Sequence, residues 1–404
     1  MNKEEQKIPA LRFPEFEKER EWIETTLEEV ADYENGKAHE QEISESGNYK
    51  VVNSKFISTD GEVVKYSDSA NLKAGIGDIL MVLSDVPNGR AIAKCFYVDS
   101  NDTYTVNQRI CKITPTDIDN KFLFYVQNRN PYFLAFDDGN KQTNLKKDDV
   151  LTFPFLKPID FNEQQKIANC LSSLDEVISA ETEKLDLLKD HKKGLLQQLF
   201  PAEGEIVPKF RFPEFEGDGD WEEKELGDQD VAIIIMGSSP KSTFYNENNI
   251  GLPLLQGNAD IQNRKSVPRI YTSQTTKQCK VGDILLSVRA PVGTVAKSFH
   301  KACIGRGISA IRATQKTNQE FIYQWLISYE PFWKNISQGG TFESVNSDDI
   351  KYLSINLPIN PKEQQKIADC LSSVDDLIAA QSDKIESLQE HKKGLMQGLF
   401  PKVN

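Results

Sequence analysis

Residues 161–201, FNEQQKIANCLSSLDEVISAETEKLDLLKDHKKGLLQQLFP, decide how this chain is built, because they return as PKEQQKIADCLSSVDDLIAAQSDKIESLQEHKKGLMQGLFP at 361–401. Roughly 24 of the 41 aligned positions are identical, the mark of an internal duplication. Apolar residues recur in alternating steps of four and three. The first copy carries Ile167, Leu171, Leu174, Ile178, Leu185, Leu188, Leu195 and Leu199; the second carries Ile367, Leu371, Val374, Ile378, Ile385, Leu388, Leu395 and Leu399. Such steps put one narrow stripe on a helix, the pattern of a coiled-coil seam. Some 37 helical residues at about 1.5 Å each span roughly 55 Å. Glu181 with Gln381, and Lys192 with Lys392, interrupt the stripe at matching places. A polar seam residue weakens pairing but restricts register, since a slipped alignment buries it without a partner. Two arrangements satisfy the stripe: each helix packs on its own domain, or the two copies pair with each other. If the halves are related by a pseudo-twofold axis, paired helices run antiparallel.

Upstream of each helix stands a second repeated element, LRFPEFEKEREW at 11–22 and FRFPEFEGDGDW at 210–221. Its Phe-Pro pairs disfavour helix and act as a boundary. Between arm and helix lie two segments with short β-branched runs and turn signals, which match loosely. GDILMVLSDVPNGRAIAKCF (77–96) pairs with GDILLSVRAPVGTVAKSF (282–299), and DDVLTFPFLKPI (148–159) with DDIKYLSINLPI (348–359). A helical patch, KFLFYVQNRNPYFLAF, sits late in the first segment. The matches fall on apolar and turn positions while the loops differ, so two similar scaffolds suit two different ligands or sequences. The predicted fold is α+β: two similar, β-rich mixed globules joined by two long helices forming an antiparallel coiled coil. The divisions are an arm (1–22), a globule (23–160), a helix (161–201), a linker arm (202–221), a second globule (222–360) and a second helix (361–404).

At 404 residues the chain holds at least two domains with real cores. A hydrophobic content of 38% and a mean hydropathy of −0.50 describe a soluble protein, and neither a long apolar run nor a signal peptide is present. Six scattered cysteines without a CxxC pair fit free thiols in a reducing cytoplasm. Cys170 and Cys370 occupy equivalent helix positions where buried small residues are expected. The net charge of −13 opposes nucleic-acid binding, but its distribution does not. Residues 232–357 hold 14 Lys/Arg against 8 Asp/Glu, and residues 31–158 hold 15 against 18, the excess acid lying largely in arms and linkers.

The order of arm, variable globule and EQQKIA…HKKGL(L/M)Q(Q/G)LFP helix, twice in one chain, resembles the specificity (S) subunit of type I restriction-modification enzymes. The likeness covers nearly the whole chain. It rests on the two helices, the GDIL strand and the GGTFESVNSDDI segment, where the first copy departs and reads GNKQTNLKKDDV. The resemblance implies a non-catalytic subunit whose globules are target recognition domains for a bipartite, asymmetric site in double-stranded DNA, with the helices as spacers. It also implies partners: two methyltransferase (M) subunits, whose adenine methylation this chain directs, and restriction (R) subunits that complete the nuclease. S-adenosylmethionine then belongs on the M subunits, and ATP and Mg on the R subunits. No cofactor and no membrane contact is expected of this chain.

Catalytic signatures are sparse. Asn130-Pro131-Tyr132-Phe133 approaches the NPP(Y/F) motif of amino-methyltransferases but lacks its second proline and lies in an apolar patch, so core packing is the expected role. There is no GxxxxGK(S/T) loop, and the four histidines (39, 191, 300, 391) show no metal-ligand spacing. Polar loop residues suited to DNA remain. Arg, Asn and Gln offer the donors and acceptors that read base edges, and Lys positions phosphates. In the first globule these are Asn88, Arg90, Asn107, Gln108, Arg109, Lys141, Gln142, Asn144, Lys146 and Lys147; in the second, Gln256, Asn258, Arg264, Lys265, Arg289, Arg306, Gly339, Gly340 and Thr341. The rival reading from composition is a coiled-coil protein-interaction scaffold without DNA specificity; an enzyme acting alone is a third.

Overall fold

The computed structural model describes residues 7–39, 43–86, 89–338 and 344–401. The chain divides into two compact units, Met1–Glu181 with Lys384–Asn404, and Thr182–Asp383. Each long helix, Phe161–Leu199 and Pro361–Leu399, therefore passes from one unit into the other.

The GDIL strand is central to each unit. In the first, Ile79–Val82 pairs antiparallel with Ile110–Pro115 on one side and Cys95–Tyr97 on the other. Successive strand side chains point to opposite faces, and here both faces are covered. Ile79 and Met81 enter a core shared with the long helices, while Leu80 and Val82 enter a second core between the sheets. This explains why the run is wholly apolar rather than alternating. The second core is closed by a mixed sheet in which Tyr104–Val106 lies parallel to Tyr49–Val52. The second unit repeats the plan. Ile284 and Leu286 face the helix-bearing core and Leu285 the other, and Leu252–Leu255 runs parallel to Ala302–Ile304.

The helix repeats pair within each unit, and the pairing is antiparallel. In the first unit Leu395, Met396 and Leu399, from the end of the second helix, pack with Ile167, Ala168 and Leu171 from the start of the first. In the second unit Leu195, Leu196 and Leu199 pack with Ile367, Ala368 and Leu371. Lys192 donates to Asp375 Oδ1 at 2.6 Å, and its equivalent Lys392 donates to Asp175 Oδ1. Burial pushes the Lys192 ammonium below its usual range, and Asp375 opposes the shift. Of the polar seam positions, Lys192 and Lys392 thus carry matched ion pairs across the two helices. Each aspartate also holds the globule: Tyr125 Oη donates to Asp175 and Gln324 Nε2 to Asp375, both at 2.7 Å.

The arms explain the remaining repeated residues. Arg12 donates from Nε and Nη2 to Glu163 at 2.8 and 2.7 Å, and Trp22 Nε1 reaches the same carboxylate at 3.2 Å. Arg211 and Trp221 repeat this on Glu363. The next residue of each EQQ motif grips the globule. Gln164 Oε1 accepts from Asp119 N at 2.9 Å, and Gln364 Oε1 from Asn318 N at 3.0 Å. The terminal LFP phenylalanines complete the joints, Phe400 lying 5.5 Å from Phe122 and Phe200 5.3 Å from Phe321 between ring centroids.

Two expectations change. The helical patch is two helices, Asn120–Gln127 and Pro131–Leu134, broken where Arg129 adopts φ 56°. Asn130 caps the second by accepting from Tyr132 N, and Phe133 is fully buried, so the NPYF run is a cap and a core residue. Cys170 and Cys370 are half-buried rather than buried, and all six cysteines are free thiols. Leu174, Ile178, Leu185, Leu188 and Leu388 are likewise half-buried, because a two-helix seam leaves its flanks to solvent; Val374 and Ile385 are buried, and Ile378 is half-buried.

Candidate nucleic-acid interface

Four chain segments meet at one edge of each unit, held by the same backbone bonds. In the first unit Gly36 N donates to Ile110 O, Leu83 N to Arg109 O and Leu145 N to Leu83 O, at 2.9, 2.9 and 2.8 Å. In the second Gly237 N donates to Ile308 O, Val288 N to Gly307 O and Val345 N to Val288 O, at 3.0, 2.9 and 2.9 Å. The segments around 36, 83, 109 and 145 therefore correspond to those around 237, 288, 307 and 345. Glycine is required where they cross: a Cβ on Gly36 would stand 2.0 Å from Asn107 O, and one on Gly237 2.1 Å from Gly305 O.

In the first unit this edge gathers Asn107, Gln108, Arg109, Gln142 and Asn144. Strand Thr143–Asn144 pairs with Ser84–Asp85, and Gln142 Nε2 donates to Ser84 Oγ at 2.6 Å. Asp85 organises the adjoining loop by accepting from Val86 N, Ala91 N and Ile92 N at 2.8, 2.6 and 3.1 Å, which carries the exposed Arg90. Lys146 and Lys147 are exposed and follow Leu145 directly; Lys146 N bonds Asp149, and the Lys147 ammonium lies over the Tyr33 ring. Lys141 is exposed in the loop leading into Gln142. Asn88 lies outside the described residues.

In the second unit the edge gathers Gln256, Arg289 and Arg306. Arg289 forms a bridge with Ser344, Gly305 N donates to Leu255 O, and Arg306 N donates to Ser239 Oγ at 3.1 Å. Arg264 is committed elsewhere. Its guanidinium pairs with both Glu330 oxygens and also donates to Val295 O at 3.1 Å. Lys265, on the same hairpin, lies over the Phe299 ring. Asn258 and Arg264 line an open groove of about 530 Å³ with Glu330 and residues 290–294, beside the four-segment edge. Gly339, Gly340 and Thr341 lie outside the described residues.

Sequence reasoning missed Lys37, Ser239 and Lys241, which sit on the first of the four segments. Lys37 is exposed and bridges to Asn107; Ser239 supports Arg306; Lys241 is exposed. The paired glycines, Gly36 and Gly237, each ending a strand, were the available signal. Among the described residues no three His, Cys, Asp or Glu side chains gather as a metal site, and no helix is long and apolar enough to cross a membrane.

Two helix-braced domains, each presenting the same four-segment edge with different side chains, define a duplicated recognition scaffold. The profile of the family described as type I restriction modification DNA specificity domain matches residues 19–190 and 218–390, and the chain belongs to that family. The putative type I restriction enzyme MjaX specificity subunit of Methanocaldococcus jannaschii is 32% identical over 84% of this chain and 81% of its own length. The HindI specificity subunit of Haemophilus influenzae is 28% identical over 45% of this chain and 41% of its own length. Among solved structures, the type I restriction-modification S subunit from M. genitalium superposes with a TM-score of 0.66 at 17% identity, covering 98% of this chain and 100% of the other. A chain from a type I R-M system structure gives 0.58 at 24% identity, covering 94% and 97%. These likenesses agree with the fold described above.

Proposed function

We propose that this chain is the non-catalytic specificity subunit of a cytoplasmic type I restriction-modification enzyme, and that it reads a bipartite, asymmetric DNA target. Residues 23–160 read one half-site and residues 222–360 the other. The helices at 161–201 and 361–404 dock two M subunits and set the distance between half-sites; 39 residues give each about 58 Å of reach. R subunits join the same assembly for cleavage. The observation that carries the reading is the repeated edge: an identical backbone scaffold carries Asn107, Gln108 and Arg109 in one unit and Gly305, Arg306 and Gly307 in the other. A shared frame with unlike donors and acceptors suits two unlike sequences.

The test is methylation mapping in cells carrying the chain with its M subunits. Exchanging residues 222–358 for those of another family member is expected to change one half-site and leave the other intact. A change in both half-sites, or in neither, would defeat the independent-reader scheme.

A further inference from the structure

We propose that Gln256 reads adenine in the half-site of the second unit, with Tyr245 as the residue that positions it. The inference rests on the DNA-reading role given above and names the base for one residue of that edge.

Gln256 follows strand Leu252–Leu255 and is held from both ends. Its backbone N–H donates to Asp260 Oδ2 at 2.7 Å; Asp260 is 1% exposed and is anchored through its other oxygen by Arg269 Nε at 2.9 Å. The turn 305–307 presses against it from the other side. A Cβ on Gly307 would stand 2.2 Å from Gln256 O, so this approach exists only with glycine there. The same turn carries Arg306, and Gly307 O holds the segment bearing Arg289.

The side chain is fixed by a short relay. Tyr245 Oη donates to Pro240 O, and Gln256 Nε2 donates to Tyr245 Oη, each at 3.1 Å. The proline carbonyl can only accept, so it takes the phenol's single hydrogen. The phenolic oxygen must then accept from the amide, which allows one orientation of Gln256. One Nε2 hydrogen is spent. The other hydrogen and Oε1 have no partner among the described residues. The half-buried side chain thus keeps one donor hydrogen and the acceptor Oε1 unspent at the recognition edge. In the major groove that pair matches adenine, which offers N7 as acceptor and N6–H as donor. Guanine presents two acceptors, cytosine a donor alone, and thymine an acceptor with a methyl group.

The first unit spends the corresponding position differently. Asn53 follows strand Tyr49–Val52 as Gln256 follows Leu252–Leu255, and Asn53 Oδ1 accepts from Phe56 N at 2.9 Å to cap a helix. The adenine-reading geometry is therefore particular to the second unit.

The chain, assembled with its M subunits, would be used to select duplexes from a pool randomised across the target, and methylation would be mapped in parallel. Gln256→Ala is expected to relax one A·T position in the half-site assigned to the second unit, with discrimination falling by about 5- to 150-fold. Tyr245→Phe removes the acceptor that orients the amide; it should relax the same position to a smaller extent, with other positions and the salt dependence of binding unchanged. Relaxation at a G·C pair, or spread evenly over the half-site, would overturn the assignment. Full wild-type specificity in Gln256→Ala would sink the adenine reading alone. Wild-type protein that selects no sequence would sink the DNA-reading role with it.

Discussion

At the scale of single residues, the most consequential side chains are those that join separate parts of the chain. Glu163 is 1% exposed and receives three charge-assisted or indole hydrogen bonds, from Arg12 and Trp22. The Arg12 side chain is 6% exposed, so removing the carboxylate strands a guanidinium in a poorly solvated place. The Glu363 carboxylate does the same for Arg211, whose side chain is 12% exposed. Glu163→Ala is expected to destabilise the first unit by about 3–5 kcal/mol, read as a lowered urea midpoint. The shift should exceed that of Lys166→Ala, whose ion pair with Glu15 is half open to water and is worth about 1 kcal/mol or less. Equal shifts would show that the buried joint does not hold the arm.

At the scale of elements, the long helices owe their register to charge as much as to leucine. Most of the central stripe is half-buried, Val374 and Ile385 excepted, so it supplies less apolar burial than a closed core and discriminates weakly against slipped pairings. Lys192 with Asp375, and Lys392 with Asp175, provide the missing discrimination, because a shift by one heptad would separate both pairs. Lys192→Asp alone should place two carboxylates together on the seam and lower stability by about 2–4 kcal/mol. Adding Asp375→Lys restores an ion pair with reversed polarity and should recover a good part of the loss. A double-mutant cycle on urea midpoints measures it. A coupling energy near zero would mean that the pair takes no part in setting register.

At the scale of the whole chain, the second unit is built from consecutive residues, whereas the first is closed by the chain's final helical turns. Leu11 N donates to Gly398 O at 2.8 Å, as Phe210 N donates to Gln198 O at 3.0 Å. In the second case arm and helix end are already joined through the exposed segment 202–206; in the first they only touch. A permuted chain with its termini joined by a short linker and its new ends opened within 202–206 keeps all these contacts. It is expected to fold with an unchanged urea midpoint within about 1 kcal/mol and to direct methylation to the same target. Loss of one half-site in the permutant would show that continuity at 202–206, and not contact, holds the arm.

The sequence by itself determined the duplication, the long helices with their seam, the alternation of arm and globule, and the family. Those features repeat, and periodicity together with internal identity makes them visible in one dimension. Of the residue types the sequence offered, Asn107, Gln108 and Arg109 lie at the edge of the first unit, and Gln256, Arg289 and Arg306 at the edge of the second. Tertiary structure alone decided which of them are available. Arg264 looks in sequence like any loop arginine, yet Glu330, 66 residues away, occupies it. Gln256 looks like any loop amide, yet Tyr245 and the carbonyl of Pro240 settle how its amide is turned and which hydrogen-bonding atoms are left unspent. The roles of Glu163 and Gln164 were likewise hidden, because their partners Arg12 and Asp119 lie in distant parts of the chain. Hydrogen-bond partners are set by distances of about 3 Å in space, and a sequence records no distance between residues that only folding brings together.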